Sequence, residues 1–185
     1  MTQFEFLSVF ISIVLALGVS DILSSWGQQI RFRNQIRHYW LHSVWGALVL
    51  LVMIQAWWGL WQLHERTDWL FTDNLSLIFP YLLLVLIAYV LTPTITDGKG
   101  DVKRYYFDNA PWIFGLGAGY LAAAIINTRN ALITPFLDLT NIIRVAAMLM
   151  TVALAIWRNE LFHIVAAALA YVLLATWIVF TMYAI

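Results

Sequence analysis

Hydrophobic positions in this chain come in long, almost unbroken stretches separated by short polar patches. The apolar runs cover residues of about 4–29, 39–62, 75–92, 110–127, 133–157 and 160–184. A helix needs about 20 apolar residues to cross a bilayer, so each run predicts one transmembrane helix. Chain breakers support these boundaries. Pro93 follows Thr92 at the end of the third run, the Asp97-Gly98-Lys99-Gly100 turn comes next, and Pro111 suits the first turn of the fourth helix with Asp108 or Asn109 as cap. Pro135 suits the first turn of the fifth in the same way, while Pro80 predicts a kink or a later start in the third. The expected fold class is therefore an all-α integral membrane protein: one transmembrane domain over residues 1–185, a six-helix bundle with both termini on the same side.

Composition narrows the function classes. At 63% hydrophobic and 11% charged residues, the chain lies far from soluble domains, which carry about 25% charged residues. A soluble enzyme is excluded. Six spans would take about 120 residues, which leaves no room for an extramembrane domain among 185. Ten basic and ten acidic residues cancel and are scattered, so no field attracts nucleic acid. There is no Cys, hence no disulfide, thiolate nucleophile or iron–sulfur ligand. The only lysines are Lys99 and Lys103, which denies retinal a mid-helix Schiff base, and no metalloprotease, serine-hydrolase or phosphate-loop motif occurs. No cofactor is implied. The first run lacks a basic start and is too long for a signal-peptide core, so a retained helix is expected.

Lysine and arginine counts set the orientation, because basic residues resist translocation. Connections one, three and five carry Arg31, Arg33, Arg37, Lys99, Lys103, Arg104 and Arg158, against Arg66 and Arg129 on the other face. Those three connections are expected in the cytoplasm and both termini outside, in a membrane such as the bacterial inner membrane. The tryptophans agree. Trp26, Trp40, Trp112 and Trp157, with Trp45 slightly deeper, mark one interface, and Trp57, Trp58, Trp61, Trp69 and Trp177 the other.

Helices in lipid associate where small residues let backbones approach, so small-residue stripes predict contacts. The first helix has Ser8, Ser12, Ala16, Ser20 and Ser24 at a strict spacing of four; the fourth has Gly115, Gly119 and Ala123, and the sixth Ala166 and Ala170. With Asp21 on another face of the first helix, that helix is expected to be central, surrounded by the fourth, fifth and sixth. The third, nearly all Leu, Ile, Val and Tyr, is expected at the periphery.

Ionisable groups in hydrocarbon each cost about 2.5 to 3.5 kcal/mol on insertion scales, so they need a partner, water or a function. Asp21 lies about 13 Å and Arg144 about 19 Å from the same membrane face at 1.5 Å per residue. A pair between them is expected, giving a buried polar site between helices one and five. Thr134, Asp138, Asn141 and Arg144 fall within about 120° of one face of the fifth helix, and Gln55 on the second helix reaches a similar depth. Asp21, Arg144, Asp138, Asn141 and Gln55 thus form the candidate site of a channel or transporter for an ion, proton or small anion. The bland counterpart is a buried ion pair that fixes helix register.

None of the four histidines lies at mid-membrane, which argues against haem between spans. His38 and His42 are one turn apart, and Glu160 and His163 three residues apart, on the same membrane face. Their spacing suits a two-helix metal site, a metal-dependent membrane enzyme being the third function weighed. The second is a non-transporting subunit or anchor of a larger complex. A homo-oligomer or a place in such a complex is expected, since one small bundle has few helices with which to enclose a wide path. Residues 4–22, with the opening Phe4, Ser8 and late Asp21, resemble the first helix of bacterial six-helix potassium channels that carry a Phe-Ser-Asp motif. The adjacent triplet is missing, that family places its termini in the cytoplasm, and no residue role is carried over.

Overall fold

The computed structural model describes residues 2–93, 101–132 and 139–182. They form six helices long and apolar enough to cross a membrane: α1 Gln3–Arg31, α2 Trp40–Gly59 continued by a 3₁₀ turn Leu60–Leu63, α3 Phe71–Leu91, α4 Val102–Leu132, α5 Leu139–Ile156 and α6 Glu160–Met182. The chain is an integral, multi-pass membrane protein. Among the described residues there is no strand, only an isolated bridge between Arg37 and Asp101.

Local chemistry sets the helix ends. Thr2 and Glu5 cap α1 reciprocally, each side chain accepting from the other's backbone N–H at 3.1 and 2.9 Å. Two expected starts move. α3 begins at Phe71 rather than near 75, with Asp73 in its first turn and paired to Arg66. α4 begins at Val102 rather than near 110, because the Asp101 carboxylate accepts from Arg104 N–H at 3.1 Å. Pro111 consequently lies inside α4 and not in its first turn. Pro80 lies inside α3, where its missing N–H would free the Ser76 carbonyl four residues back. The Asn127 amide of α4 fills that gap, donating to Ser76 O at 2.6 Å. Pro135 and Thr134 lie outside the described residues.

Five helices close into a ring. α2 packs on α3, α3 on α4, α4 on α5, α5 on α6 and α6 back on α2, while α1 lies outside, against α3 and α2. Both packing expectations are therefore corrected: α1 is not central and α3 is not peripheral. The serines misled because a hydroxyl can satisfy itself within its own helix. Ser8 donates to Glu5 O at 2.9 Å and Ser12 to Ser8 O at 2.6 Å. Ala16, Ser20 and Ser24 face outward, and the buried stripe of α1 is instead Leu7, Ile11, Leu15, Gly18, Ile22, Ser25 and Gln29. Gly18 supplies the close approach, facing Val85 and Ala88 of α3 and Met53 of α2. On α4, Gly119 faces Leu83 of α3 and Gly117 faces Thr151 of α5, whereas Gly115 opens outward and touches nothing. Ala166 and Ala170 are buried.

Tyrosine hydroxyls tie the ring together, each donating to a carbonyl of a neighbouring helix: Tyr81 to Ala56, Tyr105 to Val90 and Tyr171 to Val44, at 3.2, 2.9 and 2.9 Å. Such bonds are worth about 0.6 to 2 kcal/mol each in a bilayer.

Candidate functional site

The ring surrounds a partly open cavity of about 160 Å³ to which all five helices contribute. Leu48 and Val52 of α2, Leu84 and Ile87 of α3, Ile113 and Phe114 of α4, Ala147 and Met150 of α5, and Leu173 and Leu174 of α6 make most of the wall. Against these stand Arg144, Tyr120, Thr151 and the indoles Trp45 and Trp177. Thr151 spends its hydroxyl on Met148 O at 2.8 Å. Among the described residues, Arg144 is the charged group of the lining. Its guanidinium lies 5.5 Å from the Trp177 ring centroid, in a cation–π arrangement, and Nη1 donates to Asn141 Oδ1 at 3.5 Å. Asn141, buried one turn earlier on α5, orients the charge. Trp177, assigned to one interfacial belt from the sequence, faces the cavity with its ring beside the guanidinium.

The expected Asp21–Arg144 pair does not form. Among the described residues Asp21 makes no ion pair, and it sits on a helix outside the ring, whereas Arg144 belongs to a ring helix that packs between α4 and α6. Similar depth put the two residues at one height, and the helix order separates them. Gln55 is half-buried on α2 but does not face the cavity. Asp138 lies outside the described residues. Among the described candidates, Arg144 and Asn141 come together.

The metal quartet is likewise dispersed. α2 and α6 do touch, but each side chain is engaged elsewhere. His38 Nδ1 meets Gln29 Oε1 at 3.1 Å and His42 Nε2 meets Leu91 O at 2.7 Å. Glu160 accepts from Lys103 at 2.6 Å, and His163 Nδ1 accepts from the Tyr106 hydroxyl at 2.7 Å while Nε2 donates to Trp157 O at 2.9 Å. Among the described residues no three His, Asp or Glu side chains gather as a metal group. His42 has a structural task that its spacing does not disclose. A helix leaves its last carbonyls without intrahelical partners, and those of α3, Val90 and Leu91, are taken by Tyr105 and His42.

Sequence reasoning missed the aromatic knot at this end of the bundle. Tyr106 and His163, both at zero exposure, lie among Tyr39, Phe107 and Phe114, with ring centroids 5.0 to 6.2 Å from Tyr106. Lys103 Nζ stands 5.5 Å over the Tyr39 ring. Burial first, then the nearby Glu160 carboxylate, pushes the Tyr39 phenol well above its usual range, so it stays neutral. The available signal was Lys103, Tyr106 and Ala110 on one helical face opposite Glu160 and His163 on another.

No protein-family model, curated protein or solved structure matches this chain.

Proposed function

We propose that the chain is a small membrane transporter for an amphipathic anion, with the ring cavity as its binding site and Arg144 as the charge that selects the substrate. One observation carries the reading: a cavity of about 160 Å³ inside a membrane bundle is lined, among the described residues, by nearly uniform apolar walls with the Arg144 guanidinium set into them. A hydrated ion needs polar lining to replace its water, and these walls offer little. A cavity of this size holds about a six-carbon ring, and the guanidinium supplies planar donors for an anionic group. The basic end of the bundle faces the cytoplasm in this reading.

Benzenesulfonate is a suitable probe, because it stays ionised and crosses bare lipid slowly. In proteoliposomes we expect saturable benzenesulfonate uptake that chloride and benzyltrimethylammonium do not match. Arg144→Gln should lower it about tenfold to a hundredfold, the range for losing a buried charge-assisted hydrogen bond, and Arg144→Lys should retain part of it. Absent uptake, or uptake indifferent to Arg144→Gln in a folded protein, sinks the transport reading.

A second reading, a homo-oligomer or subunit joined through α1, is favoured by the outward face of that helix. Ser12, Ala16, Ser20 and Ser24 line a groove with Met53, Ile54 and Trp57, and Trp57 Nε1 donates to Ser12 Oγ at 3.0 Å. The chain has no Cys, so Ala16→Cys introduces a single thiol. If α1 pairs with its copy across a two-fold axis, mild oxidation in native membranes should give a covalent dimer; persistent monomer under excess oxidant counts against it.

A further inference from the structure

A second recess lies at the basic end of the bundle, on the outer surface where α1, α2 and α6 meet. It is lined by Trp26, Gln29, Ile30, Arg33, His38, Ser43, Val44, Ala47 and Tyr171. Its two ends differ in chemistry. Arg33, His38, Gln29 and Ser43 stand at the mouth, where α1 ends and α2 begins. Val44 and Ala47 line the interior, and Tyr171 lies eleven residues into α6, about 16 Å from its start at 1.5 Å per residue. The Tyr171 hydroxyl is spent on Val44 O, so the tyrosine presents an apolar ring. Gln29 is spent too, between Ser25 and His38.

Charge at this end is unevenly matched. Asp101, Asp108 and Glu160 each face a cation already, namely Arg37, Arg104 and Lys103. Arg33 makes a hydrogen bond to Ile30 O at 3.3 Å and Arg31 a cation–π contact with Phe32, and among the described residues neither meets a carboxylate. A groove with an unneutralised arginine at headgroup level and an apolar floor running into the hydrocarbon has the form of an amphiphile with an anionic head.

We propose that this groove binds one anionic phospholipid, its phosphate against Arg33 and one acyl chain along Ile30, Val44, Ala47 and the Tyr171 ring. The site is separate from the ring cavity and stands whether or not that cavity carries a substrate. The indole of Trp26, packed on Gly46, holds the α1 wall of the groove against α2.

The test uses the whole protein in neutral detergent, mixed with dioleoylphosphatidylglycerol, dioleoylphosphatidylcholine or glycerol 3-phosphate, with bound adducts titrated by native mass spectrometry. We expect one phosphatidylglycerol to bind about fivefold tighter than phosphatidylcholine, the effect of one arginine near an anionic headgroup. Arg33→Gln, an exposed substitution in a turn, should remove that preference, and Arg104→Gln, whose cation already faces Asp108, should leave it. Ala47→Trp fills the floor and should weaken both lipids. A preference that survives Arg33→Gln, equal binding of the two lipids to the unaltered protein, or lipid binding untouched by Ala47→Trp overturns the proposal. Glycerol 3-phosphate held as tightly as the lipid overturns it also, since the acyl chain would then contribute nothing.

Discussion

Replacing Gly18 with leucine should pry α1 from α3 and lower the stability of the protein by about 1–3 kcal/mol or more, as overpacking does in closely packed interiors. The geometry explains the size. A Cβ at this position would stand 2.5 Å from Met53 Cε, 3.3 Å from Ala88 Cβ and 3.4 Å from Val85 Cα. Methionine is flexible and can swing aside, but the Val85 backbone and the Ala88 methyl belong to α3 itself. Gly18→Ala should therefore cost less than Gly18→Leu, because its single methyl is relieved largely by Met53. Thermal unfolding in detergent, followed by circular dichroism, gives the order. A leucine variant that melts with the unaltered protein would mean that α1 is not held at this crossing.

Tyr106→Ala should be at least as damaging, about 3–5 kcal/mol for removing a large buried ring. Among the described residues Tyr106 is the largest fully buried side chain, and its loss would remove the edge-on contacts of Phe107, Phe114 and His163 together. Tyr106→Phe separates the ring from its hydroxyl. It keeps the packing but leaves His163 Nδ1 without its donor, which costs about 1–3 kcal/mol for a buried group. A double variant of Tyr106→Phe with His163→Leu should recover only part of that loss, because it removes the stranded acceptor but also releases the Trp157 carbonyl that His163 Nε2 had capped. If Tyr106→Phe proves as severe as Tyr106→Ala, the ring contacts contribute little and the hydroxyl dominates; if it proves silent, the hydrogen bond is not a determinant of stability.

The spans were legible because hydrocarbon imposes one requirement on every residue of a segment, and a run of twenty apolar residues can meet it only as a helix. Order around the bundle was less legible, for a reason visible in α1 and α3. In lipid, Leu and Val serve equally against acyl chains and against other helices, so the apolar sequence of α3 does not say that it is shared by α1, α2 and α4. Serine spacing misdirected the reading of α1, since Ser8 and Ser12 answer their own backbone carbonyls. The informative residue was a single glycine, Gly18, which no stripe announced. Along α5, the one-turn spacing of Asn141 and Arg144 does bring the two side chains together, with Arg144 in the cavity lining. The apolar cavity around them draws on five helices and leaves no local pattern, so it could be found only once those helices were in place.

The order of the helices around the ring bears on how the protein is made. α2 through α5 emerge in sequence and can dock pairwise, but the circle is completed only when α6 reaches back to α2, through Tyr171 and Val44. Until α6 has entered the membrane, the side of the cavity that Leu173, Leu174 and Trp177 supply is missing, and a chain arrested after α5 would leave Arg144 without that wall.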